Sequence, residues 1–527
     1  MTTRRLHLRI AAGTLVVTMT TLAALSMIAA VTFRRVSPKF AMAHQNAAWQ
    51  EARLAAEAGI DAAMGDLLRN LTGPEMGSWP GWQQDSDTGV RGLLPTTIAN
   101  LTNIASSFLG IDPRGPIASS QPIFLDNLKI STPSGVPTEI DVQLWALQPS
   151  ETASRSWFRI RSMATCALSP IATRAPVSFD APLRRFSLRH VRPSLRKDDV
   201  GEAMTIRTPN VSRTVEVLVE PIRPFELALW TQESLRLGIS GTWRVDSYDS
   251  RDPEKSNPDG TYPGIDSPKV QRNGNVACNK GRPPESLYGP LIKANGAPVL
   301  GQVATNGGDL PASSEHENVD GAIALDPGQI RDDFFREMNP VRRPAAGLSL
   351  PALLPGFPFL AGTESVPLTY RTGNLGALHI LPPPGGVKGL VIIIVDGNIN
   401  FHSPVTIPPE VTVVIYVNGN INFNDQSINA NAASSKRPGN LQIYGERVGL
   451  ERRTLRAHGN AAIRAAFYGP SCDIVFSGAV DWWGALAGFS FQMTGGGSGG
   501  IHYDEALGMI GPPISFRILR CVEDVRQ

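Results

Sequence analysis

From Ile10 the chain is apolar without interruption. IAAGTLVVTMTTLAALSMIAAVTF, Ile10 to Phe33, holds no charged residue over 24 positions. A helix of that length crosses a bilayer core with some tilt, whereas the apolar part of a cleaved signal peptide runs to about 7–15 residues. Its five threonines are tolerable because a helical hydroxyl can bond a backbone carbonyl. After Pro38 and Lys39 comes FAMAHQNAAWQEARLAAEAGIDAAMGDLLRN, Phe40 to Asn70, rich in good helix formers. It predicts that the helix continues past the membrane. Glu51, Glu57 and Asp61 sit among alanines small enough for close packing with other helices.

Residues 71–138 carry many Pro, Gly and Ser and little periodicity, and read as loops with a few short elements. Period-2 alternation then begins. IDVQLWAL (Ile140 to Leu147), SWFRIRSMA (Ser156 to Ala164) and RTVEVLVEPI (Arg213 to Ile222) predict a small antiparallel sheet beside the helix. Val215, Val217 and Val219 share one face; Thr214, Glu216 and Glu220 share the other, with Leu218 the exception. Ser169 to Asp199, with four prolines and six arginines, reads as a basic surface loop. Ser234 to Val245 alternates again, broken by Gly238 and Gly241.

The C-terminal half repeats itself. VDGNINF, Val395 to Phe401, returns as VNGNINF, Val417 to Phe423, after 22 residues. Pro404, Pro408 and Pro409 exclude a helical crossover between them, and a hairpin would not put like residues in matching places. The spacing predicts stacked coils of parallel strands about 4.8 Å apart. Val395 then stacks on Val417, Ile399 on Ile421 and Phe401 on Phe423, all inward, with Asn400 and Asn422 outward. Asn398 over Asn420 makes an amide ladder, and Gly397 and Gly419 are assigned to corners needing an unusual backbone angle. A looser echo follows: AFYGPSCDIVFSG (Ala466 to Gly478) and ALAGFSFQMTG (Ala485 to Gly495), offset by 19 at the start and 17 at the end. Open coil ends invite aggregation. IHYDEALG, Ile501 to Gly508, is therefore expected to plug one end, with His502, Tyr503 and Asp504 in the terminal cap and Asp504 capping a short helical turn.

Composition changes little in this picture. The chain has 527 residues, with 50 Gly, 43 Pro and only 18% charged residues, a mix suited to turn-rich β structure. A net charge of +2 gives no reason to expect a nucleic-acid partner. Cys166, Cys278, Cys472 and Cys521 lie far apart, without metal-binding spacing. A Cys472–Cys521 disulfide and four separate buried thiols are both open. Arg4, Arg5 and Arg9 before the apolar run balance Arg34, Arg35 and Lys39 after it, so charge alone does not orient the span.

Catalytic chemistry needs concentrated groups. Asp396, Asp425, Asp473, Asp481 and Asp504 are scattered, and Asp396 is replaced by Asn418 one coil later. Asp246, Asp249 and Asp252 lack a full cation loop and suit a turn. His402, Trp482 and Trp483 are candidate sugar-stacking groups, though packing is the commoner role. GGGSGG, Gly495 to Gly500, matches glycine-rich motifs only as any glycine run would. No catalytic, cofactor or metal residue is assigned.

The apolar span followed by AEAGI (Ala56 to Ile60) in an Ala-rich helix resembles the N-terminus of PilX-type pilus assembly proteins. SYDS (Ser247 to Ser250), GQVATNGG (Gly301 to Gly308), the A-x-x-G echoes and HYDEAL near the C-terminus resemble their β-helical domain. The leader-peptidase position would follow Gly13, ahead of Thr14 and Leu15, and the pilin glutamate position holds Thr18. The resemblance implies a single-pass inner-membrane protein with its C-terminal part outside the cytoplasm. The implied organisation is a leader and transmembrane helix (1–36), a pilin-like extension (37–70), an α+β region (71–225), a right-handed parallel β-helix in two parts (226–350 and 351–510) and a tail (511–527). It implies a non-enzymatic structural or assembly role, with the membrane, pilin-like or secretion-platform proteins and surface polysaccharide as partners. A membrane-tethered carbohydrate-active or polysaccharide-binding β-helix is the alternative.

Overall fold

The computed structural model describes residues 2–72, 82–84, 123–131, 137–147, 157–167, 210–237, 243–280, 292–293, 298–306, 329–331, 333–344, 348–349, 358–446, 451–494 and 499–524. The basic stretch 169–199, Gly238, Gly241 and residues 495–498 of the glycine run lie outside them. The chain is mainly β, with an apolar helix at its N-terminus.

That helix, α1, spans Thr2–Thr72 and runs through Pro38. By length and composition it is able to cross a membrane. In its first half Val17, Leu22, Leu25, Ile28, Val31 and Phe33 are half or more exposed, so the apolar surface faces outward on every side. The hydroxyls there turn inward on the backbone: Thr21 donates to the Val17 carbonyl at 2.8 Å, Ser26 to Leu22 and Thr32 to Ile28, both at 2.7 Å. These bonds remove the polar groups that a bilayer would penalise.

The second half of α1 buries one face. Ala48, Ala52, Ala55, Ala56, Ile60, Ala63 and Leu67 recur at helical spacing and are all buried. They lie on an antiparallel sheet whose strands run in the order Trp82–Gln84, Ile123–Ser131, Pro137–Leu147, Trp157–Ala167, Asn210–Ile222, Ser515–Asp524. Val215, Val217 and Val219 share the core beneath α1 with Ile140, Phe158 and Ile160. At Gly59 an added Cβ would lie 2.2 Å from the Ser162 hydroxyl and 2.8 Å from Ile140, so the helix can approach this closely only with glycine there. The alanine stripe, expected to serve packing with other helices, is therefore occupied by the chain's own sheet. Residues 511–527, read as a tail, instead supply a strand that pairs with Asn210–Ile222. The reason is charge and register: Arg517 stands opposite Glu220 and reaches its carboxylate at 2.5 Å.

Nineteen further strands, among the described residues, form a second sheet. Its strand pairings are parallel except that Gly362–Thr363 runs against Gly389–Leu390. The parallel pairs fall into three series. One passes through Leu368–Thr372, Gly389–Val395, Val411–Val417 and Leu441–Gly445, then through Phe467, Leu486, Leu229, Val276 and Val303. A second links Leu375, Ile399, Ile421, Leu455, Ile474, Phe491, Leu235 and Ile292. A third links Val405, Ile428, Ile463, Trp482, Ile501, Val245 and Val299. Their inward residues make one continuous apolar core rich in Val, Ile and Phe, each worth about 1.5–3 kcal/mol when fully buried.

The chain does not visit this stack from end to end. It enters in the middle at Leu229–Arg236 and steps outward to Ile330–Arg331. Residues 333–344 then lead back across the stack: Arg336 pairs with Glu226, the Tyr468 hydroxyl donates to the Asn339 carbonyl at 2.7 Å, and Arg343 reaches Asp396 and Glu446. From Phe359 the chain winds back towards its point of entry. Gly499–Asp504 thus has Asp481–Trp483 on one side and Trp243–Tyr248 on the other. His502, Tyr503 and Asp504, expected in a terminal cap, thus lie on a strand that is paired on both sides.

The cysteines are all free thiols. Cys472 is buried, which pushes its pKa up to about 12, and Cys521 is exposed on the last strand. The Cys472–Cys521 pairing is not formed, and the expectation of four buried thiols fails at Cys521.

Candidate functional site

The repeat forms a ladder, but its parts differ from those expected. Val395 pairs with Val417, Ile399 with Ile421, and Phe401 with Phe423. The two phenylalanine rings stack at 5.9 Å, and all six side chains are buried. Gly397 and Gly419 do not have positive φ. Their requirement is close approach: a Cβ at Gly397 would lie 2.3 Å from Asn374 Oδ1, and at Gly419 2.3 Å from the Gly397 carbonyl oxygen.

Asparagine side-chain carbonyls link successive paired segments. Asn374 Oδ1 accepts from the Asn398 backbone N–H at 2.8 Å, Asn398 Oδ1 from Asn420 N–H at 2.8 Å, and Asn420 Oδ1 from Thr454 N–H at 2.9 Å. The expected amide-to-amide bond lies instead at the half-buried outer pair, where Asn422 Nδ2 donates to Asn400 Oδ1 at 2.6 Å. Asn374 was missed although its signal is present. TGNL, Thr372 to Leu375, matches DGNI and NGNI one coil earlier. The looser echo has the register its spacing implies: Ala466 pairs with Ala485 and Gly469 with Gly488, a shift follows, and Asp473 pairs with Ser490.

A second constellation joins SYDS to HYDEAL. In the parallel pair between Trp243–Tyr248 and Gly499–Asp504, His502 stands opposite Asp246, Tyr503 opposite Ser247 and Asp504 opposite Tyr248. Alternation puts Val245 and Ile501 into the core and sends Asp246 and His502 to the opposite face. There four neighbouring strands contribute one side chain each, in register: Arg464, Trp483, His502 and Asp246. The Arg464 guanidinium lies 4.4 Å from the Trp483 ring centroid, and the Trp483 and His502 rings are 5.7 Å apart. His502 Nδ1 is 2.7 Å from Asp246 Oδ1, and its Nε2 is 3.6 Å from Asp481 Oδ1. Tyr262, from the loop after SYDS, stacks on His502 at 4.1 Å and donates to Asp246 Oδ2 at 2.6 Å, where Arg244 Nε also donates.

Burial sets the electrostatics of this row. It would raise the Asp246 pKa, but the His502 charge and hydrogen bond, then Arg244, hold it below the ordinary carboxylate value. Burial would lower the His502 pKa, and the Asp246 carboxylate, with Asp481, more than reverses this. Asp504 accepts from the Ser250 and Ala506 N–H groups, yet burial pushes its pKa up to about 6. It caps the 3₁₀ turn Glu505–Met509, which includes Gly508 and ends at Ile510. Glu505 accepts from the Ser247 hydroxyl and Asn273 Nδ2, both at 2.9 Å, tying the turn to the neighbouring strand Trp243–Tyr248 and the segment after it.

Apart from Asp246 and Asp481, which share His502, the aspartates singled out in the sequence have different partners. Asp396 is bridged by Arg371 and Arg343, Asp425 accepts from Asn460 N–H at 2.6 Å, and Asp473 accepts from the Ser490 hydroxyl at 2.5 Å. Asp249 binds Arg251, and Asp252 accepts from Glu254 N–H within its turn. Trp482 is fully buried, Trp483 is half-buried beneath Arg464, and His402 is exposed. A concavity of about 680 Å³ is rimmed by Arg251, Arg331, Arg336 and Arg517. Each of these has a carboxylate partner: Asp249, Asp333, Glu226 and Glu220.

Residues 387–510, less than half of the chain, match a family described as a domain of unknown function (DUF7305). No curated protein matches. Among solved structures, the competence-associated pilin ComZ from Thermus thermophilus aligns over 91% of this chain and 98% of its own, at 9% identity. The TM-score is 0.22, too low for the two folds to be equated.

Proposed function

We propose that this is a membrane-anchored, non-enzymatic structural or assembly protein of the cell envelope, similar to PilX-type proteins of type IV pilus and type II secretion systems. In this reading α1 is the anchor, inserted once in the cytoplasmic membrane. The second sheet is a right-handed parallel β-helix, from about residue 226 to 510, held outside the cytoplasm. The observation that carries the proposal is α1 itself. One continuous helix is bare and apolar around residues 17–33, then lays its alanine face on a folded sheet. A bare surface of that kind needs lipid or other apolar helices around it.

The three in-register series of parallel strands support the β-helix, because each series supplies one side of a coil. The separate engagement of Asp396, Asp425 and Asp473 supports a displayed surface over a reaction centre. Partners suited to this reading are the membrane, pilin-like or secretion-platform proteins through the bare helix, and surface polysaccharide along the coils.

Membrane fractionation followed by affinity capture and mass spectrometry tests the proposal. The intact chain should resist carbonate extraction and bring down pilin-like or secretion-platform proteins. Recovery in the soluble fraction would defeat the anchor. Release of the protein from carbonate-washed membranes with no such partner would defeat the assembly role.

A further inference from the structure

The row of Asp246, His502 and Asp481 joins parts of the chain that are distant in sequence. Asp246 and His502 are 256 residues apart, whereas coils Gly389–Val395 and Val411–Val417 pair at an offset of 22. This junction is where the last coil wound meets the first, so the continuity of the stack depends on it.

The geometry of the imidazole is particular. Each ring nitrogen faces a carboxylate, Nδ1 towards Asp246 of its strand neighbour on one side and Nε2 towards Asp481 on the other. A carboxylate only accepts, and a neutral imidazole donates from one nitrogen. A neutral ring would therefore turn a lone pair towards one of the two anions. The imidazolium donates to Asp246 and forms a longer ion pair with Asp481, and the Tyr262 ring stacks on it at an interplanar angle of 30°. The remaining charged or titratable groups around it are Arg244 on the Asp246 strand, Asp504 two residues along, and Arg464 across Trp483. Arg244 is bonded to Asp246, and Arg464 is separated from His502 by the indole.

We propose that this junction is a proton-operated latch. The His502 imidazolium holds the first and last coils together through Asp246 and Asp481, and loss of its proton loosens the junction and the loop carrying Tyr262.

The direction of the effect follows from linkage. His502 has its pKa raised above the ordinary 6.5, so its contribution is complete below about 6.5 and is lost as pH rises through the folded value. Asp504, raised from 3.8 to about 6, acts in the same direction at lower pH. Its contribution declines between those two values. Asp246 is lowered below 3.8 and opposes only in stronger acid. The junction is thus tightest in mild acid and weakens towards alkaline pH.

Hydrogen exchange read by mass spectrometry on the full chain in detergent micelles tests this, between pH 5.5 and 8.5, after correction for the chemical exchange rate. Peptides covering 243–273 and 499–504 should lose protection above about pH 6.5, by at most about tenfold per pH unit for one proton released. Peptides covering 389–417 should not. His502→Gln should abolish the dependence. Should that variant fail to fold, Asp481→Asn, at a carboxylate 42% exposed, should leave the fold intact and move the loss to lower pH. Protection that does not change with pH in the unaltered chain would overturn the proposal. So would an unaltered profile in whichever variant folds.

Discussion

Ile421 and Asn422 are adjacent, and their substitutions should separate sharply. Ile421 is buried between Ile399 and Leu455 in a narrow apolar core. Ile421→Asp leaves a carboxylate there without a partner, and a loss of about 4 kcal/mol or more is expected. Asn422→Asp removes one donor, to Asn400, at a half-buried outer position. A loss of about 1 kcal/mol is expected. Thermal unfolding followed by circular dichroism checks both, and equal losses would mean that the inward and outward positions are wrongly assigned. Gly397→Ala belongs to a third class. Its Cβ would sit 2.3 Å from Asn374 Oδ1, so overpacking of about 1–3 kcal/mol is expected. This cost comes from the neighbouring segment Gly373–Asn374 and is absent from the strand taken alone. At this scale the inward residues of VDGNINF were legible, because a strand period of two leaves little choice. The reason for the glycines was not, because it depends on how closely the next coil approaches.

At the scale of elements, α1 was the most legible part, since an uncharged run followed by helix formers has few other readings. The use of its alanine stripe was not. Small residues suit a neighbouring helix and a sheet equally, and only the packing shows Ala56, Ile60 and Ala63 against Ile140, Phe158 and Val217. Gly59→Leu should therefore disrupt the helix–sheet contact within the monomer, because the close approach to Ser162 leaves no space for a side chain. The expected signature is increased exchange in peptides covering 157–167 and 210–222, with the peptides of 389–417 unchanged. Unaltered protection of both sheet strands would contradict the packing. The strand Ser515–Asp524 was hidden for a related reason. Its sequence SFRILRCVED has only weak alternation, and its partner lies some 300 residues earlier, at Asn210–Ile222.

Across the whole molecule, the sequence signalled repetition but not order. Motifs repeated 22 residues apart are local, whereas the pairing of the chain's late strands with its early ones rests on contacts such as His502 with Asp246 that no short-range pattern reveals. SYDS and HYDEAL could be singled out from the sequence as two motifs; that they are neighbours is a property of the fold. The arrangement of the acids also bears on activity at this scale. Asp396, Asp425 and Asp473 are each held by separate local partners, and no turnover of uronate or neutral polysaccharide is expected, with or without calcium. Reproducible cleavage that disappears in Asp473→Ala would show that a reaction centre exists.

The account rests most heavily on the bare half of α1, and site-specific photocrosslinking from intact membranes addresses it directly. A photoreactive residue placed in turn at Leu25, Ile28 and Phe33, all exposed, reports what surrounds the helix. Adducts to phospholipid, together with adducts to the apolar helices of pilin-like or secretion-platform proteins, are the predicted result. Adducts to neither, from protein recovered in the aqueous fraction, would contradict it.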